Sequence, residues 1–438
     1  METTCDILIK SGAVLTLDGH GNTYQPGYLA ITGDVITDAG PGEPPRHLKP
    51  KYIIPAQGHL VMPGLINAHT HAAMTLFRGL ADDLPLMEWL NNYIFPGEAR
   101  LDGHAVYIGS LLACLEMIKS GTTTFCDMYL FEKEVAKAAE QAGIRAVVGE
   151  VIYDFPSPNY GPIERGFDYT LELIQEYRGH DLITPAIEPH SVYTCGEDLF
   201  LKAMDMARRE NVMMITHLSE SEAEVAQSLE QHGATPIRHL ERLGVLGPHL
   251  LADHVVAVSD EELDLLAERQ VRVAHNPESN MKLANGVAPV PKMLQRGMTV
   301  GLGTDGCASN NNLNMFLEMD ITAKLHKLAS KDPTVMGAGT VLDLATNGSA
   351  AALDLAHQIG SLEKGKKADV IILDMDHPHL TPLYNLPSHL VYSATGGEVT
   401  TVIINGRLVM ENGRVLTLDQ DAIMAEARAI GAKMKTWL

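Results

Sequence analysis

Asn67-Ala68-His69-Thr70-His71 follows directly on the apolar run 61–66. Read as a strand, this stretch sets two imidazoles on one side, because successive side chains alternate faces. Imidazole is the commonest neutral ligand for zinc and similar metals, so the pair is a candidate metal seat. Alone it is a weak signal, since most such histidines are surface or core residues. His217, His254 and Asp305 strengthen it, each lying at the end of a later apolar run.

Working outward, short apolar runs alternate with longer helical patterns from residue 61 onward. Runs at 65–71, 122–128, 145–152, 183–191, 212–219, 250–256, 271–277 and 299–305 read as strands. They are rich in Val, Ile, Leu and Met and barely alternate, as parallel strands buried on both faces do. Between them, residues 105–119, 133–141, 197–210, 260–269 and 313–328 space apolar residues by three and four. Gly121 and Gly143 sit where the first two of these helices should stop. Eight strand-then-helix units predict a closed (β/α)8 TIM-type barrel of class α/β. No glycine-rich phosphate fingerprint follows the first strand, which argues against a dinucleotide fold.

Both ends of the chain read differently. Short strands are predicted at 6–10, 13–16, 28–32 and 52–55, and again at 369–373, 400–404, 407–410 and 414–417. Asn405-Gly406 and Asn412-Gly413 favour tight hairpins. The expectation is a small β-sandwich built from both termini. Its parts are 1–61 and 359–418, with the barrel over 62–358 and a C-terminal helix over 419–438.

Composition bounds the function. The chain has 438 residues, room for one large domain and a smaller one. Its formal charge of −22 argues against nucleic acid or an anionic membrane as partner. Five scattered cysteines without a CxxC pair suggest a reducing, cytoplasmic setting. The first residues lack a basic segment, so no signal peptide is expected. No apolar stretch reaches the ~20 residues that span a bilayer.

Catalytic groups of such barrels sit at the C-terminal strand ends. There the sequence places His69 and His71, His190, His217 with Glu220 three residues on, His254 and Asp305. A single buried histidine is usually a hydrogen-bonded core residue, and an aspartate before glycine is often a turn residue. Five placements at one face make a joint accident the poorer account.

The pattern 63–71 (PGLINAHTH), the later His217 and His254, and Gly303-Thr304-Asp305-Gly306 resemble the amidohydrolase superfamily. Three further motifs resemble its branch of 5-methylthioadenosine/S-adenosylhomocysteine deaminases and triazine chlorohydrolases. They are Arg78-Gly79 with 82–90 (DDLPLMEWL), 275–283 (HNPESNMKL) and 305–311 (DGCASNN). Binuclear relatives bridge their metals with a lysine from the fourth strand, which here ends Glu188-Pro189-His190. The resemblance therefore implies one divalent metal per chain, held by His69, His71, His217 and Asp305. Zinc suits this donor set, and Fe2+ or Mn2+ fits nearly as well.

The implied chemistry is hydrolytic deamination of an adenosine derivative, namely S-adenosylhomocysteine, 5'-methylthioadenosine or adenosine. Water activated by the metal attacks the amino-bearing carbon. Asp305 takes the proton of that water, Glu220 protonates a ring nitrogen, and His254 orients the water or polarises the leaving group. The resemblance carries Glu98 to the ribose hydroxyls and His190 to the substrate. Trp89 and Phe95 are candidates for an apolar wall. Glu150 stands where relatives place an arginine that holds the substrate tail, with Arg165 as a possible second contact. The expected partner is a small nucleoside, in a homo-oligomer of unspecified size. Two alternatives stay open: an aminohydrolase or chlorohydrolase of guanine, a pterin or a triazine, and a metal-free scaffold.

Overall fold

Eight parallel strands succeed one another around a barrel in a computed structural model that describes residues 3–437. They are Leu65–Thr70, Thr122–Tyr129, Arg145–Ile152, the pair Ile183–Pro185 and Glu188–Pro189, Met214–Leu218, Leu250–His254, Arg272–His275 and Val300–Leu302. Parallel ladders join neighbours within each half. Parallel bridges Ile187↔Met214 and Ser191↔His217 link the fourth strand to the fifth. At the remaining seam the Asp305 N–H donates to His69 O at 2.9 Å. The architecture is therefore a TIM-barrel-type α/β fold. Every residue of the first three strands is buried, which explains their unbroken apolar reading.

The fourth strand, expected as one piece, is broken after Pro185. Proline lacks the N–H that a ladder needs, and this strand carries Pro185 and Pro189. Helices Gly103–Lys119, Glu132–Ala142, Glu197–Glu210, Asp260–Glu268 and Met315–Ser330 lie within two residues of their expected ends. Gly143 closes the second of these at φ 72°, a left-handed cap that favours glycine.

Strands from both termini form one nine-stranded sheet. His59–Pro63, just before the barrel, pairs antiparallel with Val370–Asp374, just after it. The segments 6–10 and 13–16 are one strand, Thr3–Leu15, in which Ser11-Gly12 forms a bulge and not a turn. Val35–Pro41 and His59–Pro63 are strands that the sequence reading left unassigned. Buried Arg145 ties the barrel to this sheet, its Nε 2.9 Å from Asp369 Oδ2 and its Nη2 3.2 Å from Oδ1. The C-terminal helix spans Gln420–Met434. Among the described residues no single helix is long and apolar enough to cross a membrane.

Candidate active site

The strand ends bring His69, His71, His217, His254 and Asp305 to one mouth. Donor atoms of His69, His71 and Asp305 lie within 4.8 Å of one another, as do those of His69, His217 and His254. His71, His217 and His254 are each held by the other ring nitrogen, while His69 Nδ1 makes no hydrogen bond. His71 Nδ1 bonds Met128 O, and His217 Nδ1 lies 3.0 Å from His190 O. His254 Nδ1 lies 2.9 Å from Asn280 Oδ1, and His69 Nδ1 3.2 Å from Asp253 Oδ2. A carbonyl oxygen only accepts, so Nδ1 of His71 and His217 carries a proton and Nε2 of each ring is the atom turned toward the mouth. Burial and the neighbouring histidines hold the His217 pKa well below its ordinary value, so the ring is neutral, as a ligand must be.

Asp305 divides its two oxygens. Oδ2 accepts from Ser279 Oγ at 2.6 Å and Ser309 Oγ at 2.8 Å. Oδ1 faces His71 Nε2 at 3.0 Å and His69 Nε2 at 3.4 Å. His69 Nε2 and Asp305 Oδ1 are buried with no hydrogen-bond partner. Two orphaned lone-pair donors turned toward each other fit a divalent cation between them.

The backbone is shaped for this cluster. Asp305 and His254 sit at φ 60° and 73°, and β-branched Val255 at φ 45°. Such non-glycine conformations store strain, and they occur here where side chains must turn into the mouth. Gly303 is required by close approach, since a Cβ there would lie 2.7 Å from His69 N.

Glu220 is 6 % exposed and lines the same cleft. Its carboxylate accepts from Asn285 Nδ2 at 2.9 Å. Glu224 clasps the turn beneath it, accepting from Ser219 N at 3.0 Å and Glu220 N at 2.6 Å. Burial raises the Glu220 pKa, which suits a group that must carry a proton near neutrality.

Glu98, His190, Trp89 and Phe95 also line this cleft, which encloses about 640 Å3, part of it open to solvent. Glu98 closes the short helix Phe95–Glu98, and burial lifts its pKa to about 7. His190 stays neutral, its pKa lowered to about 3 by burial, with Nδ1 2.9 Å from Thr194 Oγ1. Trp89 walls the cleft and donates Nε1–H to Ala81 O at 3.2 Å.

Two residues lie elsewhere. Arg165 is exposed in the first turn of helix Ile163–Glu176 and does not line the cleft, so it stands apart from the residues that wall the cleft. Glu150 turns away, because Val151 and Tyr153 of opposite parity face the cleft. Its carboxylate accepts from Glu132 N at 2.9 Å and Asn159 Nδ2 at 2.8 Å. Burial pushes its pKa up to about 8. Folding therefore favours the neutral acid, and the stability present below its ordinary pKa is lost as pH rises toward 8. Glu150→Gln has no charge to lose. Its melting temperature should gain on wild type between pH 5 and pH 8, by on the order of 3 kcal/mol in stability at the top. A gap that stays flat with pH would show that Glu150 ionises freely in the fold.

Sequence reasoning missed Asp253, Glu224, Asn285, Ser279, Ser309 and Tyr129. Several of these sit inside the quoted motifs. Ser279 and Asn280 of the 275–283 motif hold Asp305 and His254, and Lys282 joins Asp82 at 2.5 Å and Asn311. The three motifs are thus knitted to one another behind the metal seat.

With this geometry in view, a model of the amidohydrolase family matches residues 60–409. The chain is 56 % identical over 431 residues to a 5-methylthioadenosine/S-adenosylhomocysteine deaminase of Syntrophobacter fumaroxidans, covering 98 % of each. It is 44 % identical over 431 residues to a 5'-deoxyadenosine deaminase of Methanosarcina acetivorans, again covering 98 % of each. It is also similar to the solved structure of an adenosine deaminase from Xanthomonas campestris with bound zinc, at TM-score 0.97 and 37 % identity over 100 % of both chains. A barrel that gathers histidines and an aspartate at its mouth, matched along nearly its whole length, belongs to the amidohydrolase family.

Proposed function

We propose that this chain is a metal-dependent aminohydrolase that converts adenosine derivatives to the inosine form and ammonia. One observation carries the reading: Glu220 shares one cleft with His71, His217 and Asp305, and His69 belongs to the same donor cluster. The relatives' named activities on 5'-methylthioadenosine, S-adenosylhomocysteine and 5'-deoxyadenosine support it. We assign one divalent ion, zinc by preference, to those three histidines and the aspartate. The zinc-bound relative and the orphaned donors favour this assignment. When bound, the ion supplies the acidity that makes water nucleophilic near neutral pH.

The chain's own residues do the rest. Asp305 Oδ1 receives the proton of the attacking water while Ser279 and Ser309 keep Oδ2 fixed. Glu220 gives its proton to a purine ring nitrogen, which makes the amino-bearing carbon electrophilic. His254, locked by Asn280, aligns the incoming water. As the tetrahedral carbon collapses, its C–N bond breaks, the amine takes up a proton and leaves as ammonia, and a carbonyl remains. Glu98 accepts from the ribose hydroxyls, and His190 contacts the substrate. In the same reading the barrel spans 62–358. The terminal segments 1–61 and 359–418 fold on themselves as a small sandwich around residues such as Ile9, Ile31 and Val370.

Ammonia release from adenosine derivatives, guanine, pterins and triazines tests this reading. Turnover of the nucleosides above the free heterocycles is expected, and the reverse order overturns it. Purified protein should carry about one tightly bound divalent ion per chain. Elemental analysis giving two full equivalents, or activity that survives exhaustive chelation, would sink the mononuclear centre.

A further inference from the structure

Three aromatic rings run outward from the cleft beside Glu98. Phe95 lies one helical turn before it, on the same short helix. Tyr153 lines the cleft and faces His190, with ring centroids 6.1 Å apart. Phe155 stacks on Tyr153 at 3.9 Å and 13° and meets Phe95 edge-on at 6.1 Å. Phe155 is 39 % exposed, so the row ends at solvent. With Glu98 on the ribose, as proposed above, a nucleoside whose reacting carbon sits at the metal seat extends its sugar toward this rim. Its 5' substituent then lies against these rings.

The charge of the cleft is equally one-sided. Among the described residues lining it there is no lysine or arginine, while Glu98, Glu220 and Asp305 are present. Nearby cations are already engaged. Lys282 is held by Asp82 and Asn311, and Arg78 by Glu116 and the Asn311 carbonyl. A carboxylate brought here loses water and gains no cation, in a chain of net charge −22. A thioether or alkyl group loses nothing polar, and sulfur packs favourably on aromatic rings.

Resting on the reading above, we infer that Phe95, Tyr153 and Phe155 seat the substrate's 5' substituent and select a neutral thioether or alkyl group over a zwitterionic amino-acid tail. The experiment is kcat/KM for ammonia release from 5'-methylthioadenosine, 5'-deoxyadenosine, adenosine and S-adenosylhomocysteine, using the metal-loaded enzyme. 5'-Methylthioadenosine should exceed S-adenosylhomocysteine by at least ~10-fold. Phe155→Ala should lower the ratio of 5'-methylthioadenosine to adenosine by about three- to tenfold. Arg165→Ala should leave the ratio of 5'-methylthioadenosine to S-adenosylhomocysteine as it is. The inference is overturned if S-adenosylhomocysteine equals or exceeds 5'-methylthioadenosine. It is also overturned if Arg165→Ala selectively removes S-adenosylhomocysteine turnover, or if Phe155→Ala slows all substrates equally. In each of these cases nucleoside deamination itself still stands. Turnover of free heterocycles alone instead defeats the deaminase reading and this inference with it.

Discussion

Glu220→Gln is expected to lower kcat by ~10²–10⁴-fold, the usual contribution of a general acid–base group. The substitution keeps the side chain's shape and the oxygen that accepts from Asn285 Nδ2. The Glu224 clasp engages only backbone N–H groups of Ser219 and Glu220, so the turn remains in place. Metal content and melting temperature should therefore match wild type while turnover collapses. A charge-neutral amide cannot pass a proton to the ring nitrogen, and nothing else within the described lining combines a carboxyl with this position. The measurement is steady-state ammonia release on metal-quantified protein. A variant that keeps more than about a tenth of the rate removes Glu220 from the proton path.

The second large effect concerns the sugar. A site built to pair a hydroxyl rejects an analogue lacking it, by as much as ~10⁴-fold, because its buried polar group is left unpaired. Glu98 is buried at the end of its short helix, with the Tyr129 hydroxyl beside it. Wild type should thus favour adenosine strongly over 2',3'-dideoxyadenosine. Glu98→Ala should lose most of that preference together with much of its nucleoside activity. The informative quantity is the adenosine-to-dideoxyadenosine ratio of kcat/KM, compared between wild type and variant. An unchanged ratio would falsify ribose recognition by Glu98.

The barrel was legible because its grammar is local. Buried parallel strands read as apolar runs, and the two-residue period aligned His69 with His71. Asp305 could be found because it ends the apolar run 299–305, and Gly303 before it leaves no room for a side chain beside His69. The break in the fourth strand was also written in the sequence, as Pro185 and Pro189, but the run was read as continuous. The orientation of Glu150 is legible in the same way. Strand parity with Val151 and Tyr153 already turns it from the cleft. Supports such as Asp253, Glu224 and Asn285 left no readable mark. An acid in a strand, an acid in a helix and an amide in a loop are ordinary residues until the fold sets them against His69, Ser219 and Glu220. The terminal sheet was half legible: hairpins announced themselves through Asn-Gly turns, whereas Val35–Pro41 and His59–Pro63 depend on partners far along the chain.

Barrel closure at the Asp305–His69 backbone contact has a temporal side. The donors assigned to the metal come from positions 69, 71, 217 and 305, so the seat is complete only when the last strand meets the first. A chain still being synthesised, with residue 305 not yet made, offers isolated histidines and no enclosed seat. Contacts this distant in sequence carry a loop-closure cost that is met late in folding. Tight metal retention should therefore accompany the final docking of strands and not nucleate it. During refolding, uptake of a chromogenic ion such as Co2+ should lag behind the rise of far-ultraviolet dichroism and coincide with the recovery of activity.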